Sequence, residues 1–203
     1  MSLYIKNDMG KKTFLNIACA AAVAVLCANS VQAQSRFHFD VDYHYNLGLS
    51  TSIKGGHWGR SNYKMGGHSI HFTGRYDLSD ALSAGAGFGW DRYTEPNYNT
   101  LPIFATLRYK PIKTLRDVYC FTDLGYGIKP KDTYNSGFLM NLGVGYTKMF
   151  SPHFGLNFQI AYNCKVFDDG IMYAVADEHG NYVDGNYLDN TRHSISFGVG
   201  VTF

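Results

Sequence analysis

Apolar and polar residues take strict turns along most of this chain. Between residues 37 and 50, Phe37, Phe39, Val41, Tyr43, Tyr45, Leu47 and Leu49 interleave with His38, Asp40, Asp42, His44, Asn46, Gly48 and Ser50. Successive strand side chains point to opposite faces, so a period of two predicts a strand with one apolar and one polar face. No helical spacing fits. The alternation returns over residues 70–78, 82–91, 101–110, 118–128, 138–147, 154–166 and 195–203, giving eight strands. In the last of them Ile195, Phe197, Val199, Val201 and Phe203 are separated by Ser196, Gly198, Gly200 and Thr202.

Between the strands, Ser79-Asp80 and Ser151-Pro152-His153 predict tight turns, and residues 111–117 a connection of intermediate length. Residues 54–67, a segment around Pro96, residues 129–137 and residues 168–191 read as longer polar loops. Short and long connections in alternation predict an all-β fold, an eight-stranded antiparallel up-and-down barrel whose short turns lie at one end.

Strand length and face composition orient the wall. The strands run about ten residues, suited to a tilted membrane strand of about 9–11 and longer than is usual in soluble sheets. The polar face is small and rich in Gly, unlike a water-facing surface, and the bulky face would overfill an eight-stranded lumen. The expectation is a transmembrane β-barrel with its greasy face in lipid. Aromatics on that face then sort by height: Phe37, Tyr76, Tyr109, Tyr146, Phe154 and Phe203 at the lower rim, Trp90, Tyr126, Phe138 and Tyr162 at the upper. Two such girdles are expected at the two membrane interfaces.

The first 33 residues read differently. Lys11 and Lys12 precede an apolar run over residues 17–28, and Val31 and Ala33 occupy small-residue positions before Gln34. This predicts a secretory signal over residues 1–33, cleaved near Ala33, and a barrel domain over 34–203. The apolar run is too short for a bilayer that needs roughly 20 such residues. Whether the natural start is Met1 or Met9 is open. Of 18 Lys and Arg and 16 Asp and Glu, the leader removes Lys6, Lys11, Lys12 and Asp8, leaving the domain uncharged overall. Such a balance gives no sign of a nucleic-acid partner. Cys120 and Cys164 fall on separate strands, both on the apolar face, and read as small hydrophobes with no disulfide framework.

The lumen-facing charges include Asp40, Asp42, Arg75, Asp77, Asp91, Arg108, Lys110, Asp123 and Lys165. Charges withdrawn from bulk water need partners. Asp40 and Asp42 are expected beside Arg75, and Arg108 beside Asp123, as an ion-pair network that largely plugs the lumen. Phe104, Tyr119 and Phe121 would help to close it, with room supplied by Gly85, Gly87, Gly89, Gly198 and Gly200.

The leader, alternating strands, girdles and terminal Phe203 together resemble the small OmpA/OmpX-like outer-membrane barrels. The stretch Leu101-Pro-Ile-Phe-Ala-Thr-Leu-Arg-Tyr109 and the segment Phe121-Thr-Asp-Leu-Gly-Tyr126 look like those of porin-like barrels common in Bacteroidetes. This resemblance implies a Gram-negative cell outer membrane, lipid and lipopolysaccharide around the wall, and passage through periplasmic chaperones and the barrel assembly machinery. Phe203, preceded by Val201 and Val199, resembles the signal that machinery reads. No cofactor is implied, and the oligomeric state is open.

Enzymatic readings find little to stand on. His38 and His44 share a face with Asp40 and Asp42 but lack the tight ligand spacing of a metal site. A lipid deacylase would need His and Ser together on the outer wall, whereas His193 faces outward and Ser194 and Ser196 inward. Asp168, Asp169, Asp177, Glu178 and His179 read as a solvated loop. The expectation is therefore a non-enzymatic barrel, structural or narrow and porin-like. The alternative is surface recognition by loop aromatics, namely His57, Trp58, Tyr63, Tyr134, Tyr173, Tyr182 and Tyr187, and more remotely a lipid A-modifying enzyme.

Overall fold

The computed structural model describes residues 36–203 apart from 54, 55, 63, 96, 132, 133 and 177–181. The side chains of 53, 169–176 and 182–188 are also outside the description, and the secretory signal expected over residues 1–33 lies outside the described residues. Nine strands follow in order: β1 (Phe37–Ile53), β2 (Gly56–Gly59), β3 (Gly66–Asp77), β4 (Leu82–Thr94), β5 (Tyr98–Tyr109), β6 (Val118–Ile128), β7 (Gly137–Ser151), β8 (Phe154–Ala176) and β9 (Tyr182–Thr202). Eight of them pair antiparallel in sequence order, and β9 returns to β1, from Asp40↔Thr202 to Ile53↔Asn190. These eight strands thereby close a barrel. The ninth, β2, is a short addition that folds back on β1 from Ser50↔Gly59 to Ile53↔Gly56. Closure leaves no unpaired edge along the wall, which lipid would not tolerate.

The faces divide as the alternation requires. Phe88, Ile103, Leu142, Val144, Ile160 and Val199 stand exposed on the outer wall, Leu142 by 58% and Val199 by 46%. Asp40, Asp42, Asp91, Thr106, Asn141, Asn157 and Gln159 are buried inside. A greasy exterior around a polar, charged interior is the inverse of a soluble barrel, and it is what a hydrocarbon surround stabilises. This is a transmembrane β-barrel. Register sets the girdles: Phe37 pairs with Tyr76 at the lower rim, and Tyr126 with Phe138 at the upper.

Local chemistry ends the strands. In the β3–β4 turn the Ser79 hydroxyl accepts from the main-chain N–H groups of Ala81 and Leu82 at 3.3 and 3.1 Å. At the β7–β8 turn Ser151 Oγ accepts from His153 N at 3.4 Å. The upper end differs from the expected loops in three ways. Only residues 95–97 separate β4 from β5, and Glu95 turns the chain with a positive φ of 50°. Residues 56–59, expected as loop, form β2. Most of 168–191, also expected as loop, continues the β8–β9 ladder through Ile171↔Leu188 to Ala176↔Tyr182. The period of two is missing from these segments, since Ile171-Met-Tyr-Ala-Val-Ala176 is apolar at every position and Gly56-His-Trp-Gly59 is too short to show one.

Candidate functional site

The lumen is built from every second residue of each strand. Its lower half is organised around Asp40 on β1. Arg75 on β3 donates from Nε at 2.6 Å and from Nη2 at 3.2 Å, a fork that fixes both planes. Arg108 on β5 places Nη2 3.0 Å from the same carboxylate and 3.9 Å from Asp42. Asn157 on β8 donates to Asp40 at 3.3 Å and to Asp42 at 3.4 Å. Side chains from β3, β5 and β8 therefore converge on two neighbouring carboxylates of β1. Asp123 accepts from Asn141 at 3.0 Å and lines the same mid-lumen cavity as Arg108, whose Nη2 reaches Asp40 on β1.

A second cluster surrounds Asp91 on β4. It accepts from Lys165 Nζ at 2.8 Å and from Thr100 at 3.0 Å, with His71 Nε2 at 2.9 Å. The His71 ring lies 5.1 Å from that of His44 and 5.0 Å from Phe104, linking this cluster to the lower one. Among the described residues the buried charges are four acids (Asp40, Asp42, Asp91, Asp123) and four bases (Arg75, Arg108, Lys165, Arg192). A balanced interior avoids the cost of an uncompensated charge away from bulk water.

Arg192 seals the upper mouth. It is fully buried, donates to the carbonyls of Thr94 and Glu95 at 3.1 and 2.9 Å, and faces the rings of Tyr93, Tyr98 and Phe167 at 5.6, 5.8 and 6.0 Å. Those carbonyl contacts also hold the left-handed turn at Glu95, whose carboxylate accepts from Lys64 N at 2.7 Å. Sequence reading missed this cap. Its signal was parity: Tyr93, Tyr98, Phe167 and Arg192 each continue the lumen-facing row of Asp91, Thr100, Lys165 and Ser194.

Packing closes what the charges leave. Phe104, Tyr119 and Phe121 are buried, and the Arg108 guanidinium lies 4.9 Å from the centre of the Tyr119 ring. Glycines make this possible: a Cβ on Gly87 would strike the Phe104 ring, and one on Gly200 the Asp42 carboxylate. Mid-lumen, a cavity of about 10 Å³ between Asp42, His44, His71 and Arg108 has room for a single water. Below it a cavity of about 210 Å³ opens at the lower mouth between His38, Asp77, Arg108, Lys110 and Arg116. Arg108 lines both and separates them.

Other candidate residues are scattered. His38 pairs with Asp77 at 3.0 Å, and among the described residues no group of three or more His, Cys, Asp or Glu side chains could hold a metal. His193 stacks on Tyr162 on the outer wall and its Nδ1 lies 2.5 Å from the tyrosine hydroxyl, while Ser194 and Ser196 are buried inside. Of the loop aromatics, His57 and Trp58 lie on β2 and Tyr134 is half-buried. Tyr63 and the side chains of Tyr173, Tyr182 and Tyr187 lie outside the described residues, as do Asp177, Glu178, His179 and the Asp169 side chain.

No protein-family model and no curated protein matches this chain. Among solved structures it is similar to Neisserial surface protein A, at 13% identity and a TM-score of 0.42 over 81% of this chain and 97% of that one. It is also similar to the outer membrane protein OprG of Pseudomonas aeruginosa, at 12% identity and a TM-score of 0.44 over 85% of this chain and 99% of that one. A FadL homologue of the same organism shares 14% identity at a TM-score of 0.38, with 83% of this chain covering 49% of that one. The barrel described above rests on its own strand pairing.

Proposed function

We propose that this protein is an integral outer-membrane barrel with a structural or narrow porin-like role, its lumen held closed by ion pairs. The observation that carries the reading is the joint one of an exposed apolar wall and a charge-balanced interior, since together they fit a cylinder that sits in lipid and passes little. Asp40, Asp42, Arg75 and Arg108 form the lower lock, Asp91 with Lys165 the upper lock, and Asp123 lines the space between. The leader over residues 1–33 supplies export, and Phe203 supplies the mark read by the assembly machinery. Outer-membrane lipid and lipopolysaccharide are the expected surroundings, and the role is not catalytic.

Purified protein refolded into planar bilayers tests this reading. Heat-modifiable gel migration together with rare, small conductance steps is the expected result. A large, steadily open conductance would overturn the closed lumen. A second reading, recognition at the cell surface, is supported by the β8–β9 arm that carries Ile171–Ala176 pairing beyond the wall. It requires binding of glycan or lipopolysaccharide that is lost when the arm is shortened.

A further inference from the structure

The connection between β5 and β6, residues 110–117, has a pattern of its own. Leu115 N donates to Ile112 O at 3.1 Å and Val118 N to Leu115 O at 3.1 Å, so two three-residue turns follow one another. Each turn brings its two end residues, three apart, close together, which makes an apolar line of Ile112, Leu115 and Val118. The basic residues Lys110, Lys113 and Arg116 recur at the same spacing. Val118 begins the outward row of β6 that runs on through Cys120 to Leu124, so the apolar line prolongs the lipid-facing wall. Lys110 and Arg116 also border the open lower mouth, Lys113 does not, and the Arg116 side chain is 62% exposed.

The loop is held at one height. Its first residue donates from Lys110 N to Ala81 O at 2.8 Å, and its last accepts at Asp117 O from Thr147 N at 2.8 Å. Tyr109 and Tyr146 of the lower girdle lie beside it. Ile112 and Leu115 are nevertheless 44% and 54% exposed, with no protein surface covering them. Lys113 has no acidic partner among the described residues. Arg116 meets Asp80 at 3.4 Å, and both side chains are mostly in solvent, where such a pair contributes little. Exposed apolar side chains at girdle height, with cations one position along, match a bilayer boundary: hydrocarbon for the first, phosphate for the second.

We propose that residues 110–117 form a docking loop for anionic phospholipid, with Ile112 and Leu115 dipping into the hydrocarbon and Lys113 with Arg116 meeting headgroup phosphates. The occupant follows from continuity with the lipid-facing wall and from the charge of the basic residues. The proposal needs only that the barrel spans a bilayer.

A single tryptophan tests it. Leu115→Trp is made with Trp58→Phe and Trp90→Phe, and the protein is refolded into vesicles of equal parts phosphatidylglycerol and phosphatidylcholine, one of the two brominated on its chains. Leu142→Trp in the same background reports whether the wall is in lipid at all. Blue-shifted emission from the Leu115→Trp variant, with stronger quenching by brominated phosphatidylglycerol, is expected. Lys113→Gln with Arg116→Gln should remove that preference, since each basic side chain at an anionic surface is worth about fivefold. Water-like emission from the Leu115→Trp variant, beside a quenched Leu142→Trp variant, would overturn the proposal, as would equal quenching by the two lipids. Loss of quenching in the Leu142→Trp variant would instead overturn the membrane reading itself.

Discussion

Asp40 carries two guanidinium groups on one carboxylate, with Arg75 in a fork at 2.6 and 3.2 Å and Arg108 at 3.0 Å. Removing it leaves two buried cations beside each other, and breaking one side of a buried pair costs about 3–5 kcal/mol. Asp40→Ala should therefore lower the urea midpoint of the refolded barrel sharply, while Asp42→Asn, whose carboxylate stands 3.9 Å from Arg108, should lower it less. Equal effects would show that the lock is not centred on Asp40. Arg192 is the second sensitive residue, because its guanidinium spans two carbonyls and three ring faces. Lys offers a point charge without that planar fork. Arg192→Lys should loosen the Glu95 turn and speed proteolysis at residues 95–97, and an unchanged cleavage rate would count against the cap.

At the scale of the strand, legibility follows from where lipid is. Between the girdles an outward residue meets hydrocarbon and must be apolar, so the period of two is sharp and β1, β3 and β7 could be read residue by residue. Above the upper girdle the ladder continues but the period fades, Ile171-Met-Tyr-Ala-Val-Ala176 being apolar at every position. That is why the upper parts of β8 and β9, the short β2 and the three-residue β4–β5 connection escaped a reading based on pattern. The lumen was legible as a set of charges and less so as a set of partners. Asp91 takes Lys165 because tilt and closure bring distant strands β4 and β8 together, which linear neighbourhood does not reveal, whereas Asp123 takes Asn141, its direct partner in the β6–β7 register. A depth test belongs here. Leu142→Arg at mid-wall should cost about 2–4 kcal/mol, and Tyr146→Arg at the lower girdle about 0–1. Similar costs at both positions, from unfolding in bilayers, would contradict the assigned depth.

For the whole molecule, the stack of side chains along the axis decides whether anything passes. Arg108 stands between the cavity of about 210 Å³ at the lower mouth and the one of about 10 Å³ above it. Arg108→Ala with Asp40→Asn should join them, and small-ion conductance should rise; no change would place the barrier higher, at Asp91 or Arg192. Closure through β1 and β9 makes the wall continuous, so the direction in which each face points is the claim on which everything else depends. It is tested most directly by nitroxide labels at each position from 138 to 146 on β7, read against oxygen dissolved in lipid and a nickel chelate dissolved in water. Oxygen contact should peak at 138, 140, 142, 144 and 146 and fall at every position between. Peaks at 139, 141, 143 and 145 would mean that the apolar face points inward.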